Sequence, residues 1–239
     1  MKEGILLINK PAGITSFFLV NVLRRITKIK KIGHAGTLDP FATGVMIMLI
    51  GKNYTRLQPT FLNSDKEYTA TLKLGAETDT GDLEGTTTHT SETIPTLEQI
   101  ETVLKTFQGE LLQTPPMYSA KKVGGKKLYE LARQGKTIER EAKKIRITTT
   151  FVSYDYPHLK IHVAASKGTY IRQLAVDIGK ALNCFAHLTE LQRTKSGNFS
   201  LQNCLDLDQI QNPDFQYENH LYTCKSPEAS QHLTKTHLK

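Results

Sequence analysis

Six consecutive apolar residues, at positions 45–50, place the tightest constraint on how this chain can fold. An apolar run of this length without a polar residue is typical of a strand that is buried on both faces. Gly51 closes the run, and a glycine-containing loop at positions 31–44 leads into it. We therefore predict a central strand here, and we expect the loop before it to be pinned beside the core.

Other segments have strand or helix patterns in an irregular order. Strand patterns occur at residues 5–8, 67–74, 145–156, 159–165, 188–193 and 198–201. Helical spacing occurs at residues 16–27, 97–107, 128–134 and 169–182. Pro157 and His158 separate two of the strand patterns, as expected for an antiparallel pair joined by a tight turn. Because no regular strand–helix–strand order repeats, we predict an α+β fold with a central mixed or antiparallel sheet flanked by helices and loops.

Capping signals and breakers locate several helix ends and loops. Thr15 or Ser16 can cap the first helix, and Thr96 with Gln99 forms a capping box for the second. Polar residues 78–91 predict a long loop, and Gly135 ends the short helix that starts near Leu128. Residues 211–239 lose all periodicity, so they predict a tail and not a domain.

Composition excludes several classes of function. The 239 residues include three cysteines without Cys-x-x-Cys spacing, which argues against a zinc site or a disulfide framework. No apolar run reaches the roughly 18 to 20 residues of a membrane span, and residues 1–10 lack the features of a secretory signal. Glycine-rich dinucleotide and phosphate-loop motifs are absent. We therefore expect a cytoplasmic protein without membrane association.

A formal net charge of +8 favours polyanions, and the cations are clustered. Residues 24–31 contain five cations, residues 121–127 contain four, and residues 133–146 contain six against two acids. Each cluster is equally consistent with a solvated surface, and Arg24 and Arg25 also fit helix-end charges. Three clusters together favour RNA or DNA as the partner.

The loop before the central strand holds His34 and Asp39 among glycines. Reactive groups commonly lie on loops that a rigid scaffold holds in place. Spacing alone also fits a plain turn, in which Asp39-Pro40 starts the turn and Gly36 supplies a positive φ.

A family resemblance decides between these two interpretations. The run at residues 33–44, GHAGTLDPFATG, resembles the signature motif of the bacterial tRNA pseudouridine-55 synthase family, known as TruB. Further matches, in family order, are LINKPAG at residues 7–13, DKEY at 65–68, PMYSAKK at 116–122, GKKLYELARQG at 125–135 and SKGTYIR at 166–172. The resemblance covers nearly all of residues 3–210 and implies a pseudouridine-synthase-like catalytic domain.

The resemblance also implies roles for individual residues. Asp39 is the catalytic carboxylate, Arg172 is the guanidinium that orients it and keeps it ionised, and Tyr68 stacks on the target base and assists proton transfer. Tyr170 and Leu191 line the pocket of the flipped uridine. His34 takes the place of the extruded base in the RNA.

A basic insertion at about residues 112–146 resembles the family's flexible RNA-gripping element, so we expect it to order on the T-arm of tRNA. The residues expected to contact RNA are Lys10, Lys121, Lys122, Lys126, Lys127 and Arg133. The reaction is redox-neutral, so neither a metal nor an organic cofactor is implied.

Domain organisation follows from the same resemblance. We expect one catalytic domain at residues 1–210 and a short tail at 211–239. Full-length relatives continue into an RNA-binding PUA domain, which we expect to be missing or vestigial here. A monomer without an obligate protein partner is expected. Two alternatives stay open: a relative that modifies another RNA, and a non-catalytic RNA chaperone that kept the fold.

Overall fold

The strand predicted from the apolar run is present in the computed structural model as Thr43–Ile50, and residues 44–50 are all buried. The structure describes residues 2–119, 122–223 and 234–235. The strands, in chain order, are β1 (Gly4–Lys10), β2 (Ile32–His34), β3 (Thr43–Ile50), β4 (Lys66–Leu74), β5 (Ala76–Thr78), β6 (Thr87–Thr90), β7 (Gln108–Gln113), β8 (Lys122–Val123), β9 (Lys126–Lys127), β10 (Lys143–Asp155), β11 (His158–Ala165), β12 (Ala186–Ser196), β13 (Phe199–Ser200), β14 (Tyr222–Thr223) and β15 (Thr234–Lys235).

The helices are mostly short. In chain order they are α1 (Ser16–Thr27), α2 (Lys52–Thr55), α3 (Gln58–Leu62), α4 (Leu97–Thr106), α5 (Leu128–Ala132), α6 (Ile171–Ala181) and α7 (Leu207–Gln211), with 3₁₀ turns at Leu201–Asn203 and Tyr217–His220. None of the helices that the structure describes is long and apolar enough to span a bilayer. The mixture of strands and helices confirms the predicted α+β class.

The chain folds as two compact units, of which the first holds residues up to Tyr68 and from Leu191 onward. Its strands follow the order β15-β14-β1-β3-β12, with β2 also paired to β3 and β13 to β12. Strand β1 runs antiparallel to β3, whereas β12 runs parallel to it at the pair Arg193 and Gly44. One face of these strands forms an apolar core whose members are Ile5, Leu7, Ala35, Val45, Ile47, Leu49, Phe61 and Phe199.

Helix α1 has the predicted bounds because its sequence supplies both a cap and an apolar face. The Thr15 side chain accepts a hydrogen bond from the backbone N–H of Phe18, which satisfies one donor of the first turn. Leu19, Val22 and Leu23 are buried, as their helical spacing predicts. The helix ends at Lys28, which adopts the left-handed conformation with φ of 58° and donates its N–H to the Arg24 carbonyl.

The second unit, Thr69–Glu190, contains the strand order β4-β11-β10-β7. The predicted antiparallel pair is confirmed, since β10 and β11 pair from Ile147 and Ala165 to Asp155 and His158. The predicted capping box is also present, because the Thr96 and Gln99 side chains each accept a hydrogen bond from the other's backbone N–H. Helix α4 contacts β10 and also lies beside α6.

Two expectations need correction. Residues 78–91 are not one long loop, because β5 and β6 form a hairpin there; β6 is wholly exposed, so its sequence has no alternating apolar pattern to detect. The basic insertion predicted at about residues 112–146 lies between β7, which ends at Gln113, and β10, which starts at Lys143. The predicted tail includes β14, which pairs with β1 through Tyr222 and follows the buried Leu221.

The contact between β3 and β12 predicts a large difference between two glycines of the first unit. Gly44 has a φ of +105°, and a Cβ atom there would overlap the Arg193 backbone. Gly13 has a φ of +84° but has open space around it. We expect Gly13→Ala to lower the free energy of unfolding by about 1 kcal/mol through backbone strain alone. Gly44→Ala should lower it by about 3 kcal/mol, because the strands must also move apart.

Urea unfolding of the two variants measures this difference. Equal losses for Gly13→Ala and Gly44→Ala would mean that the close approach of β3 and β12 does not constrain the first unit.

Candidate active site

Asp39 lies in the Asp39 loop, residues 35–42, which joins β2 to β3 in the first unit. The loop is held by backbone hydrogen bonds at both ends: Ala35 N–H donates to the Ile47 carbonyl at 3.0 Å, and Gly13 N–H donates to the Pro40 carbonyl at 2.9 Å. Ala42 N–H donates to the carbonyl of Asp39 itself at 3.1 Å, which closes a turn around the carboxylate. Asp39 is half-buried. The loop therefore presents this carboxylate from a fixed backbone.

Ser16, the first residue of α1, fixes the residue before Asp39. Its hydroxyl accepts a hydrogen bond from Leu38 N–H at 2.9 Å and donates to the Leu38 carbonyl at 3.0 Å. Ser16 is buried, so these two bonds replace the water that would otherwise satisfy the loop backbone. One side chain thus ties the start of α1 to the position next to Asp39.

Lys10, which the sequence predicted as an RNA contact, has a different environment in the structure. The residue is fully buried, and its ammonium donates to the carbonyls of Pro11 at 2.9 Å, Pro40 at 3.0 Å and Ala42 at 2.6 Å. An ammonium buried in this way is not available to a phosphate. We therefore replace the RNA-contact prediction for Lys10 with a positioning role, in which its ammonium holds the Pro40 and Ala42 carbonyls of the Asp39 loop.

Arg193 is a positioning residue that the sequence reasoning missed. Its side chain is 1% exposed, and its Nε donates to the Val45 carbonyl at 2.7 Å while Nη2 donates to the Gly36 carbonyl at 3.3 Å. The guanidinium is also hydrogen-bonded to the Tyr68 phenol. Burial lowers the pKa of Arg193, and the interaction with Tyr68 opposes that shift. Arg193 therefore links the Asp39 loop to Tyr68.

Tyr68, Leu191 and His34 belong to the same unit as Asp39. Tyr68 is half-buried on β4, and Leu191 is buried on β12, two residues before Arg193 and so on the same side of that strand. His34 lies at the end of β2, where burial and then the Arg193 charge lower its pKa, opposed by a hydrogen bond with the Gly36 backbone. The lowered pKa favours the neutral form of the His34 ring at neutral pH.

Arg172 lies in the second unit, in the first turn of α6. Its Nη1 is 3.3 Å from Asp82 Oδ2 and donates to the Thr80 carbonyl at 2.8 Å, while Nη2 donates to the Tyr118 carbonyl at 2.7 Å. A cation gains nothing from the dipole at a helix N-terminus, so these partners account for its position. Asp82 is buried and accepts two further hydrogen bonds, from the Thr80 hydroxyl and from Glu84 N–H.

Tyr170 is the residue immediately before α6, and a side chain from β7 fixes its backbone. The buried Gln113 amide accepts a hydrogen bond from Tyr170 N–H at 2.8 Å and donates to the Tyr170 carbonyl at 3.1 Å. This two-bond clamp fixes the backbone at Tyr170, whose side chain is half-buried.

The structure describes the side chain of only one of the predicted RNA contacts in the basic insertion, Arg133. Lys121 lies outside the described residues, and for Lys122, Lys126 and Lys127 the structure describes only the backbone, which forms the β8–β9 hairpin. Arg133 is exposed, and its guanidinium lies 5.5 Å from the centre of the Tyr129 ring. An exposed guanidinium beside an aromatic ring is a suitable contact for RNA.

The structure therefore distributes the predicted site residues over both units. His34, Asp39, Tyr68 and Leu191 belong to the first unit, and Tyr170 and Arg172 belong to the second. Nothing in the sequence marks Arg193 as a partner of the Asp39 loop or Asp82 as the partner of Arg172, because both contacts are long-range. Within the described ranges, no group of three or more His, Cys, Asp or Glu side chains is arranged to hold a metal ion. A carboxylate on a fixed loop suits nucleophilic or electrostatic catalysis.

The environment of Lys10 predicts a stability effect. Lys10→Met keeps the length of the side chain but leaves the carbonyls of Pro11, Pro40 and Ala42 without their donor. We expect the free energy of unfolding to fall by about 2 to 4 kcal/mol in a urea titration. Lys30→Met, at an exposed lysine, is the matched control and should change it by less than about 0.5 kcal/mol. A Lys10 variant as stable as this control contradicts the positioning role.

Comparison with known proteins connects this geometry to a family. Residues 24–171 match the profile described as TruB family pseudouridylate synthase (N terminal domain). Residues 172–226 match the profile described as tRNA pseudouridylate synthase B C-terminal domain. The two matches together run from the end of α1 to the residues that follow β14.

Individual relatives agree with the profiles. The tRNA pseudouridine synthase B of Protochlamydia amoebophila (strain UWE25) is 60% identical over 204 residues, which cover 85% of this chain and 78% of that protein. The protein of the same name from Chlamydia muridarum (strain MoPn / Nigg) is 52% identical over 219 residues, with 92% and 91% covered.

Among solved structures, a Cbf5-Nop10-Gar1 complex contains a similar chain, with a TM-score of 0.67 and 28% identity. The similarity covers 86% of this chain and 53% of the other, so this chain spans about half the length of that relative. The fold, the sequence profiles and the full-length relatives all agree. The chain therefore belongs to the TruB family of pseudouridylate synthases.

Proposed function

We propose that this enzyme isomerises the uridine at position 55, in the T-loop of tRNA, to pseudouridine, with Asp39 as the catalytic carboxylate. The observation that carries the proposal is the Asp39 loop itself. Side chains of Ser16, Lys10 and Arg193 hold its backbone on both sides of Asp39. The relative from Protochlamydia amoebophila, which is named tRNA pseudouridine synthase B, supports tRNA as the substrate.

The chemistry explains why a fixed carboxylate is needed. The bond between the ribose C1′ and the base nitrogen breaks, the base turns, and a bond forms between C1′ and a ring carbon. That carbon loses its proton, the freed nitrogen gains one, and no electrons are exchanged with a cofactor. Asp39 either attacks C1′ or stabilises a cationic sugar, and both routes require an ionised carboxylate held close to C1′.

The target uridine must leave the folded T-loop before it can react. Flipping a base costs a few kcal/mol of stacking, which contacts to the protein must offset. We assign Tyr68 to stacking on the flipped base, Leu191 and Tyr170 to the walls of its pocket, and the neutral His34 to the space that the base vacates. Arg193 supports this role of Tyr68, because its guanidinium interacts with the phenol.

Asp39→Asn tests the proposal directly. The amide keeps the size of the side chain but cannot act as a nucleophile or stabilise a cation, so pseudouridine formation should fall by roughly 10³-fold or more. Binding of unmodified tRNA should change little. Chemical mapping of pseudouridine measures the product, and a filter assay measures binding. The purified chain alone should suffice, since we propose a monomer without a protein partner.

Two controls separate the alternatives. Asp208→Asn removes an exposed carboxylate from the same unit and should leave turnover unchanged. A tRNA with its T-arm uridine replaced should yield no product, whereas a product elsewhere would point to another RNA position. An Asp39→Asn variant with full activity would favour the chaperone alternative and overturn the proposal.

We also propose that Arg172 orients Asp39 and keeps it ionised, as the family resemblance implies. The ion pair between Arg172 and Asp82 therefore gives a second prediction. Asp82→Asn keeps an oxygen that can accept from Thr80 and Glu84 but removes the charge that holds Arg172. Turnover should fall by about 10- to 100-fold, equivalent to one charge-assisted hydrogen bond of about 1.5 to 3 kcal/mol. Glu77→Gln, which breaks the ion pair with Lys180 in the same unit, is the control. Equal activity of the two variants would remove Asp82 from the mechanism.

A further inference from the structure

We propose that the outer face of α1 is a second RNA-binding surface of this enzyme, separate from the uridine pocket. This α1 surface consists of Phe17, Asn21, Arg24, Lys28 and Lys30, all of which are exposed. It would take backbone phosphates through its cations and stack an unpaired base on Phe17. The inference rests on the proposed function, because it assumes that RNA is the substrate.

Helical geometry places the surface residues in a single stripe. Phe17, Asn21, Arg24 and Lys28 follow one another at intervals of three or four residues, so they share one side of α1 and its C-cap. The stripe is about 16 Å long at the rise of an α-helix. This length allows contacts with more than one phosphate along a strand.

Exposed aromatic residues distinguish this helix from an ordinary solvated one. Phe17 is 56% exposed and Phe18 is 40% exposed, although phenylalanine is normally a core residue. The Arg24 guanidinium lies 5.7 Å from the centre of the Phe17 ring. Helix-end electrostatics would explain Arg24 and Arg25 but not two exposed rings at the opposite end of the helix. An aromatic ring beside a guanidinium is a common platform for nucleic acid bases.

The cations at the end of α1 surround a cleft of about 310 Å³. Its lining residues are Arg24, Lys28, Ile29 and Lys30, none of which is acidic. Arg24 is fixed there by a hydrogen bond from its Nε to the Lys30 carbonyl at 3.1 Å. The buried Thr27 hydroxyl shapes the turn, since it donates to the Leu23 carbonyl and accepts from Ile29 N–H. The chain has no acid between Glu3 and Asp39, so this region offers a phosphate no carboxylate from its own segment.

The surface begins beside the Asp39 loop. Phe17 directly follows Ser16, whose hydroxyl is bonded to both backbone groups of Leu38. RNA with its target uridine at Asp39 can therefore continue along α1 towards Lys28. The cations lie at the other end of α1 from the Asp39 loop. We therefore expect them to affect the binding of tRNA and not the rate of the chemical step.

Charge reversal at the cleft tests the electrostatic part of the inference. For Arg24→Glu/Lys28→Glu, we expect KM and the Kd for tRNA to rise at least 10-fold, with kcat within about twofold of the wild type. The dependence of log Kd on log salt should also become shallower by about 1.4 to 1.8, as expected for two lost phosphate contacts. Lys73→Glu/Lys105→Glu, at two exposed lysines of the second unit, is the matched control. A result equal to this control overturns the inference.

A fluorescent substitution tests the stacking part. The chain contains no tryptophan, so Phe17→Trp introduces a single reporter. Stacking of a base on this indole should quench its fluorescence on titration with tRNA, and the quenching should saturate with binding. Ile94→Trp, at a 61% exposed position of the second unit, should be quenched much less. Equal responses from the two reporters while tRNA is bound would overturn the stacking role.

These measurements also separate the inference from the proposed function. If the wild type neither binds tRNA nor forms pseudouridine, the proposed function fails and the inference falls with it. If product forms normally but the charge reversals match their control and Phe17→Trp is silent, only the α1 surface is excluded.

Discussion

Two buried cations donate hydrogen bonds to backbone carbonyls of the Asp39 loop and the start of β3, and the first unit depends on this interaction. Lys10 donates to the carbonyls of Pro40 and Ala42, and Arg193 donates to the carbonyls of Gly36 and Val45. A buried carbonyl without a donor costs roughly 1 to 3 kcal/mol, and a buried cation without polar partners costs more. Each group thus removes the penalty of the other. The loop is rigid because leaving its observed conformation would expose both costs at once.

The same interaction depends on the short parallel pairing between β12 and β3. Strand β12 runs parallel to β3 only at residues 192–193, where Arg193 lies against Gly44. Any side chain at Gly44 would push Arg193 away from the carbonyls it satisfies. Gly44, in the sequence motif, and Arg193, which is distant in sequence, therefore depend on each other for their positions. Together they join the start of β3 and the Gly36 end of the Asp39 loop to β12.

Sequence patterns predicted the helices and strands that are stabilised by interactions between residues close together in the chain. The apolar run that became β3, the Thr15 cap of α1 and the capping box of α4 all depend on residues close together in the chain. Elements without such signals escaped prediction, as with the exposed β6 and the two-residue β14. Long-range partners were also inaccessible, because a lysine motif looks the same whether it faces solvent or, like Lys10, is fully buried. The roles of Asp39, Tyr68 and Arg172 came from family resemblance and not from spacing.

The Gln113 clamp has a consequence for how this family can diverge. Gln113 is the last residue of β7, so it lies at the root of the basic insertion, and its amide holds both backbone groups of Tyr170. The backbone at Tyr170 is therefore fixed by a residue at the edge of the insertion and not by the insertion's cations. An exposed cation of the insertion, such as Arg133, can therefore be exchanged without removing either bond of the clamp. Tyr118, in the same insertion, is a different case, because its carbonyl accepts a hydrogen bond from Arg172 and so ties that residue to the insertion.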